Sequence, residues 1–373
     1  MNGPRQLHEA GQSVWLDNIT RGLLASGGLE RYIREFSVTG LTSNPTIFDQ
    51  AIRNSSDYDA AIREKSETGL SGEQLFFELA LEDLTRAADL FRPAHDGTNG
   101  VDGWVSIEVS PLLGEQSAAS LAVAKDLHRR AARPNLFVKI PGNTAGVVAI
   151  EEAIFAGIPI NVTLLFSREH YLAAAEAYVR GIERRVKAGL NPRVPSVASL
   201  FVSRWDVAVA KRVPAELQNL LGIAVARQTY QAYRELFASD RWLRLLNAGA
   251  MPQRLLWAST GTKDPKAADL LYVEALAAPY TINTIPEKTL LALADHGRIS
   301  SMMPQDGGDF RTPLAAFARA KVDVGAVAEE LQREGFGSFT KSWNDLLACL
   351  AEKSAALRTA GPSSRTAEPS SQP

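Results

Sequence analysis

Cysteine is nearly absent: Cys349 is the single one in 373 residues, so no internal disulfide can form and a reducing compartment suits the chain. No apolar run reaches the roughly 18 residues needed to span a bilayer. Residues 1–12 are polar and lack the apolar core of a secretion signal, which makes the cytoplasm the expected location. Charge of one sign is missing too, with 40 basic against 42 acidic residues and no block of either. Neither a nucleic acid nor a membrane is therefore an expected partner. The five histidines show no metal-ligand spacing, and no metal or other cofactor is expected.

What is present is alternation. Strand-like runs occur at 13–18, 38–44, 103–109, 136–140, 158–165, 196–202, 254–259 and 280–285. Helical patterns such as 117–132, 145–156, 168–188 and 215–238 lie between them. Eight alternating units predict a (β/α)8 TIM barrel, of class α/β. An open doubly wound sheet would be expected to carry a glycine-rich phosphate fingerprint after an early strand. Neither GxGxxG nor GxxxxGK followed by Ser or Thr occurs.

Extra helices are predicted between strands 2 and 3, at 57–65 and 71–90, before a loop at 94–100. Two more are predicted after the eighth strand, at 322–333 and 338–358, the second folding over one end of the barrel. Residues 1–360 read as one barrel domain and the Ser/Pro-rich residues 361–373 as a disordered tail.

Seven of the eight strands carry polar residues where a buried parallel strand should be apolar. Asp17 ends the first, Asn44 the second, and Glu108 interrupts the third. Lys139 follows Phe137-Val138, Asn161 and Thr163 lie in the fifth strand, Ser199 in the sixth, and Ser259 ends the seventh. These positions gather at the carboxyl ends of their strands, where barrel enzymes build active sites. Side chains two apart share a face, which pairs Asn161 with Thr163, Thr42 with Asn44, Ser106 with Glu108 and Ser199 with Phe201.

Lys139 is the least expected of them. Alone it reads as a strand-end lysine whose stem packs while its head reaches water. Among so many converging polar groups it reads instead as a nucleophile that attacks a carbonyl to form a Schiff base. Burial would favour its neutral amine, whereas Asp17 and Glu108 as anions would favour the ammonium, and the residues alone leave that balance open.

The ordered set of motifs resembles the transaldolase family. It comprises Trp15-Leu16-Asp17, Thr39-Gly40-Leu41-Thr42-Ser43-Asn44-Pro45, Val105-Ser106-Ile107-Glu108-Val109, Val138-Lys139-Ile140-Pro141, Asn161-Val162-Thr163-Leu164-Leu165-Phe166 and Ser199-Leu200-Phe201-Val202-Ser203-Arg204. The resemblance implies metal-independent aldol transfer between sugar phosphates in the non-oxidative pentose phosphate pathway. Lys139 would be the Schiff-base lysine, Asp17 the base for carbon–carbon cleavage, and Glu108 would move protons with a water held by Thr163. Asn44, Asn161 and Ser199 would hold the bound three-carbon unit, and Arg204 the substrate phosphate.

After the seventh strand the chain departs from the family's usual Ala-Ser-Phe-Arg-Asn, reading Ala258-Ser259-Thr260-Gly261-Thr262-Lys263. Ser259 is kept, and Lys263 is the candidate substitute for the second arginine. Fructose 6-phosphate aldolases are the nearest relatives to weigh against transfer. They carry glutamine and tyrosine at the positions of Glu108 and Phe201, so the residues here favour transfer. A barrel serving only as a binding module is the alternative from another class, and every expected reactive position here is filled.

Residues 142–146 read as an ordinary strand-to-helix turn. Trp205-Asp206 and Arg184-Arg185 read as helix-face features, and Cys349 as a small core hydrophobe. A homodimer is compatible with the sequence, although no feature establishes one.

Overall fold

The computed structural model describes residues 2–359, so the expected tail at 361–373 lies outside the described residues. Eight strands form one parallel sheet: β1 Ser13–Leu16, β2 Val38–Leu41, β3 Val105–Glu108, β4 Leu136–Pro141, β5 Ile160–Leu165, β6 Ser196–Phe201, β7 Arg254–Ala258 and β8 Ile282–Ile285. Their order is β2-β1-β8-β7-β6-β5-β4-β3. The ends of this order meet where Leu41 N–H donates to Trp104 O at 2.9 Å and Gly103 N–H to Thr39 O at 2.9 Å. The sheet is therefore a barrel, as the alternation predicts.

Gly40 sits at that seam, paired with Trp104. A Cβ there would lie 2.7 Å from both Trp104 O and the Trp15 indole. Gly40→Ala is expected to cost about 2 kcal/mol through overpacking, read by equilibrium urea unfolding. Unchanged stability would mean that the seam yields freely.

Every residue of β4 and β5 is buried, including the polar ones. Caps turn the chain from strand to helix: Asn143 Oδ1 accepts from Gly146 N–H at 2.8 Å, and Ser167 Oγ from His170 N–H at 3.1 Å. Residues 142–146 are thus the ordinary turn expected. The lower barrel is packed by Trp15, Trp104 and Phe137, the last two stacked with centroids 4.0 Å apart. Buried Asp102 ties this plug together, accepting from Trp15 Nε1 at 2.7 Å and Thr39 Oγ1 at 2.8 Å.

Three elements differ from expectation. The helix Gly72–Gly97 runs through most of the predicted 94–100 loop, despite Pro93 inside it. Its last turn is secured by Thr98, whose hydroxyl donates to Ala94 O at 2.8 Å. The region 215–238 divides into a short 3-10 turn, Ala215–Leu217, and the helix Leu221–Phe237.

The two predicted C-terminal helices are one, Val324–Thr359, 36 residues long. The glycines between them suggest a break, but Gly335 serves close approach. A Cβ on it would stand 3.1 Å from Leu164 and 3.4 Å from Phe166, at the end of β5. No described helix is long and apolar enough to cross a membrane.

Candidate active site

A cleft of about 230 Å³ opens at the carboxyl ends of the strands. Nine of the eleven predicted site residues line it: Asp17, Asn44, Lys139, Thr163, Ser199, Phe201, Arg204, Ser259 and Lys263. Glu108 and Asn161 lie outside its wall. Strand register explains their depth, because Glu108, Lys139 and Asn161 are cross-strand neighbours in one layer of the barrel.

Lys139 is only 5% exposed. Its Nζ donates to Ser43 O at 2.9 Å and lies 3.5 Å from Glu108 Oε1, an ion-pair distance rather than a formed hydrogen bond. The Phe339 ring covers it with its centroid 5.8 Å away. The side chain thus reaches the cleft floor and not bulk water, which rules out the strand-end reading.

Neither Glu108 oxygen has a hydrogen-bond partner among the described residues, nor has Thr163 Oγ1. Buried polar atoms in native proteins are normally paired, so the Glu108 carboxyl, which meets only the Lys139 charge, and the Thr163 hydroxyl mark groups held for a reactant. Burial pushes the Glu108 carboxyl up to about 7, against the pull of Lys139 and with a smaller push from Asp17.

Asp17 follows β1, its N–H donating to Ile285 O at 2.9 Å. Its carboxylate accepts the Thr42 hydroxyl at 2.8 Å, and Thr42 lies 2.6 Å from the Thr284 hydroxyl. With its single proton on Asp17, Thr42 must accept from Thr284, a directed relay across three strands. Burial raises the Asp17 carboxyl, while the Thr42 bond and the charges of Lys139 and Lys263 pull it down.

Asn161 is fully buried and already committed. It donates to Ser106 Oγ at 3.2 Å and accepts from Ser199 Oγ at 2.7 Å, so it orients Ser199 from beneath. Asn44 caps the helix Pro45–Asn54 by accepting from Ile47 N–H at 3.1 Å while lining the cleft. Within β5 the register shifts between Val162 and Leu165, and Leu164 takes φ +59°, a bulge immediately after Thr163. Gln332 of the C-terminal helix donates to Leu164 O at 3.0 Å and holds that bulge.

Arg204 and Lys263 form the outer rim. Arg204 lies 5.4 Å over the Phe201 ring, and burial lowers its pKa, against the charge of Glu334. Ser259 adopts φ +56° and pairs its hydroxyl with that of Ser203 at 2.9 Å. No carboxylate forms an ion pair with Arg204 or Lys263 among the described residues, which leaves two cations for an anion.

Asp206 corrects the helix-face reading. It is 4% exposed and accepts from Leu221 N–H at 2.9 Å, Gly222 N–H at 3.2 Å and Tyr272 OH at 2.8 Å. It anchors the helix that bears Arg204, and burial pushes its carboxyl up to about 6 against those three bonds.

Sequence reasoning missed Thr284 and Phe339, both of which line the cleft. Thr284 had a signal, since buried Asn283-Thr284 makes β8 the eighth strand with interior polar groups. Phe339 had none, lying far downstream on a helix.

An amine at the floor of a barrel mouth, flanked by one raised carboxyl and facing another, defines a lysine-dependent enzyme acting on carbonyl compounds. The match to known proteins agrees with this chemistry. Residues 14–350 match the model of the transaldolase/fructose-6-phosphate aldolase family, and the chain belongs to that family. Similar curated proteins include a transaldolase of Arthrobacter sp. (strain FB24), 43% identical over 92% of this chain and 95% of the relative. A transaldolase of Thermobifida fusca (strain YX) is 43% identical over 94% of this chain and 98% of its own. Transaldolase 2 of Streptomyces coelicolor is 41% identical over 92% and 95% respectively.

Proposed function

We propose that this protein is a transaldolase. It moves a dihydroxyacetone unit from a ketose phosphate, sedoheptulose 7-phosphate or fructose 6-phosphate, to glyceraldehyde 3-phosphate or erythrose 4-phosphate. The observation that carries this reading is the Lys139 amine buried 3.5 Å from a carboxyl poised at about 7.

Lys139 Nζ attacks C2 of the ketose, and Glu108 gives the proton with which the carbinolamine hydroxyl leaves as water. The resulting iminium draws electrons from the C3–C4 bond as Asp17 takes the C4 hydroxyl proton. An aldose phosphate departs and the three-carbon enamine stays on Lys139. That enamine attacks the acceptor aldehyde while Asp17 returns its proton, and hydrolysis of the new iminium frees the product. Glu108 suits the first step because a carboxyl near 7 exchanges protons at neutral pH. The Thr284–Thr42 relay keeps Asp17 oriented, and Arg204 with Lys263 receives the phosphate.

Acceptor dependence is the test. Fructose 6-phosphate should release glyceraldehyde 3-phosphate at a rate set by added erythrose 4-phosphate. Steady release without any acceptor would instead mark a lyase. Phe201 separates the two outcomes, since it walls the cleft where a tyrosine would add a hydroxyl. Phe201→Tyr is expected to raise acceptor-free cleavage about 10²-fold relative to transfer, the low end of what one positioned proton donor contributes. An unchanged product ratio would remove Phe201 from that role.

A further inference from the structure

A second cavity of about 580 Å³ is larger than the one of about 230 Å³ above Lys139. It lies at the opposite end of the barrel, beside the strand starts that bear Ser13 and Arg254. Its floor is apolar, built from Phe237, Trp242 and Leu246, and Leu246 is 44% exposed.

Tyr280 stands at its edge, 63% exposed and with φ +64°, a conformation that bulky residues rarely keep without reason. Two bonds hold it there: its N–H donates to Gly11 O at 2.9 Å, and Tyr233 OH donates to its carbonyl at 2.8 Å. The presented ring lies 5.0 Å from the Arg234 guanidinium, which also donates to Tyr230 OH at 3.0 Å.

Charge completes the case. No Asp or Glu lines this cavity, while Arg234 and Arg254 do. Arg254 spends its donors on Val101 O, Ser13 Oγ and Thr281 O, and Ser13 in turn donates to the buried Asp102 carboxylate, so Arg234 is the lining cation with no carboxylate near it among the described residues.

The geometry points to a second binding site, separate from the catalytic cleft, for a flat aromatic monoanion. The ring would lie on the Phe237–Trp242–Leu246 floor against Tyr280, with the carboxylate on Arg234. An apolar floor alone would take a neutral ring equally well, and the Arg234 guanidinium supplies the selectivity.

The test titrates the full chain with 2-naphthoate and with neutral 2-naphthylmethanol by calorimetry. One molecule of naphthoate should bind per chain, at least tenfold more tightly than the alcohol. Arg234→Gln should abolish that preference, and Leu246→Glu should weaken naphthoate binding at least tenfold. Borohydride trapping at Lys139 should be unchanged in both variants. Binding that is not saturable, equal affinity for the alcohol, or full affinity in both variants would overturn the site. So would a dimer in sedimentation that Leu246→Glu dissociates, since a second copy would then cover this face.

Discussion

Lys139→Met should leave a folded barrel with turnover at least about 10⁴-fold lower, the scale on which loss of a covalent nucleophile is felt. The thioether fills nearly the volume of the lysine stem, so the layer shared with Glu108 and Asn161 keeps its packing. Methionine cannot form an iminium, and without that electron sink the C3–C4 bond has no route to cleave. The variant should unfold near the wild-type midpoint, because Lys139 makes one hydrogen bond, to Ser43 O, and one longer contact with Glu108. Turnover within tenfold of wild type would mean that another amine carries the reaction.

Glu108→Gln should slow imine formation by about 10²–10³-fold, the usual contribution of a positioned acid. The pH profile distinguishes this role from simple packing. Because the carboxyl is held up to about 7, imine formation in the wild type should fall as pH rises through that value, as the acid form is lost. The glutamine variant should lack this limb.

Stability gives an independent reading with a definite sign. A carboxyl raised from its ordinary value near 4.5 to about 7 keeps its proton longer in the folded state. The stability tied to that neutral form is full below pH 4.5 and is lost as pH rises through about 7, at most about 3 kcal/mol. Glu108→Gln should therefore flatten the decline in stability between pH 4.5 and about 7, measured by urea unfolding. A variant that reproduces the wild-type slope would show that Glu108 is not the titrating group.

The barrel and the floor of the cleft were legible in the chain for one reason. A parallel strand buried on both faces should be apolar, so Lys139, Glu108 and Thr163 stand out against Val138, Ile107 and Val162. The same contrast exposed Asp17 and Ser199. It does not distinguish a residue facing the cleft from one a layer below, and Asn161 therefore reads like Ser199 although its amide is already committed.

Contacts over long sequence separations were not legible. Phe339 reaches Lys139 from a continuous C-terminal helix whose Gly335 lets it approach Leu164 closely. By local propensity Gly335 and Gly337 read as a break. Asp206 fails similarly, as a charged helix residue looks solvated until the backbone it caps at Leu221 and Gly222 is in place.

The most direct test reduces the enzyme with borohydride in the presence of fructose 6-phosphate and maps the modified peptide by mass. A three-carbon addition on the peptide bearing Lys139 is the expected result. Modification of a different lysine, or full activity with nothing trapped anywhere, would contradict it.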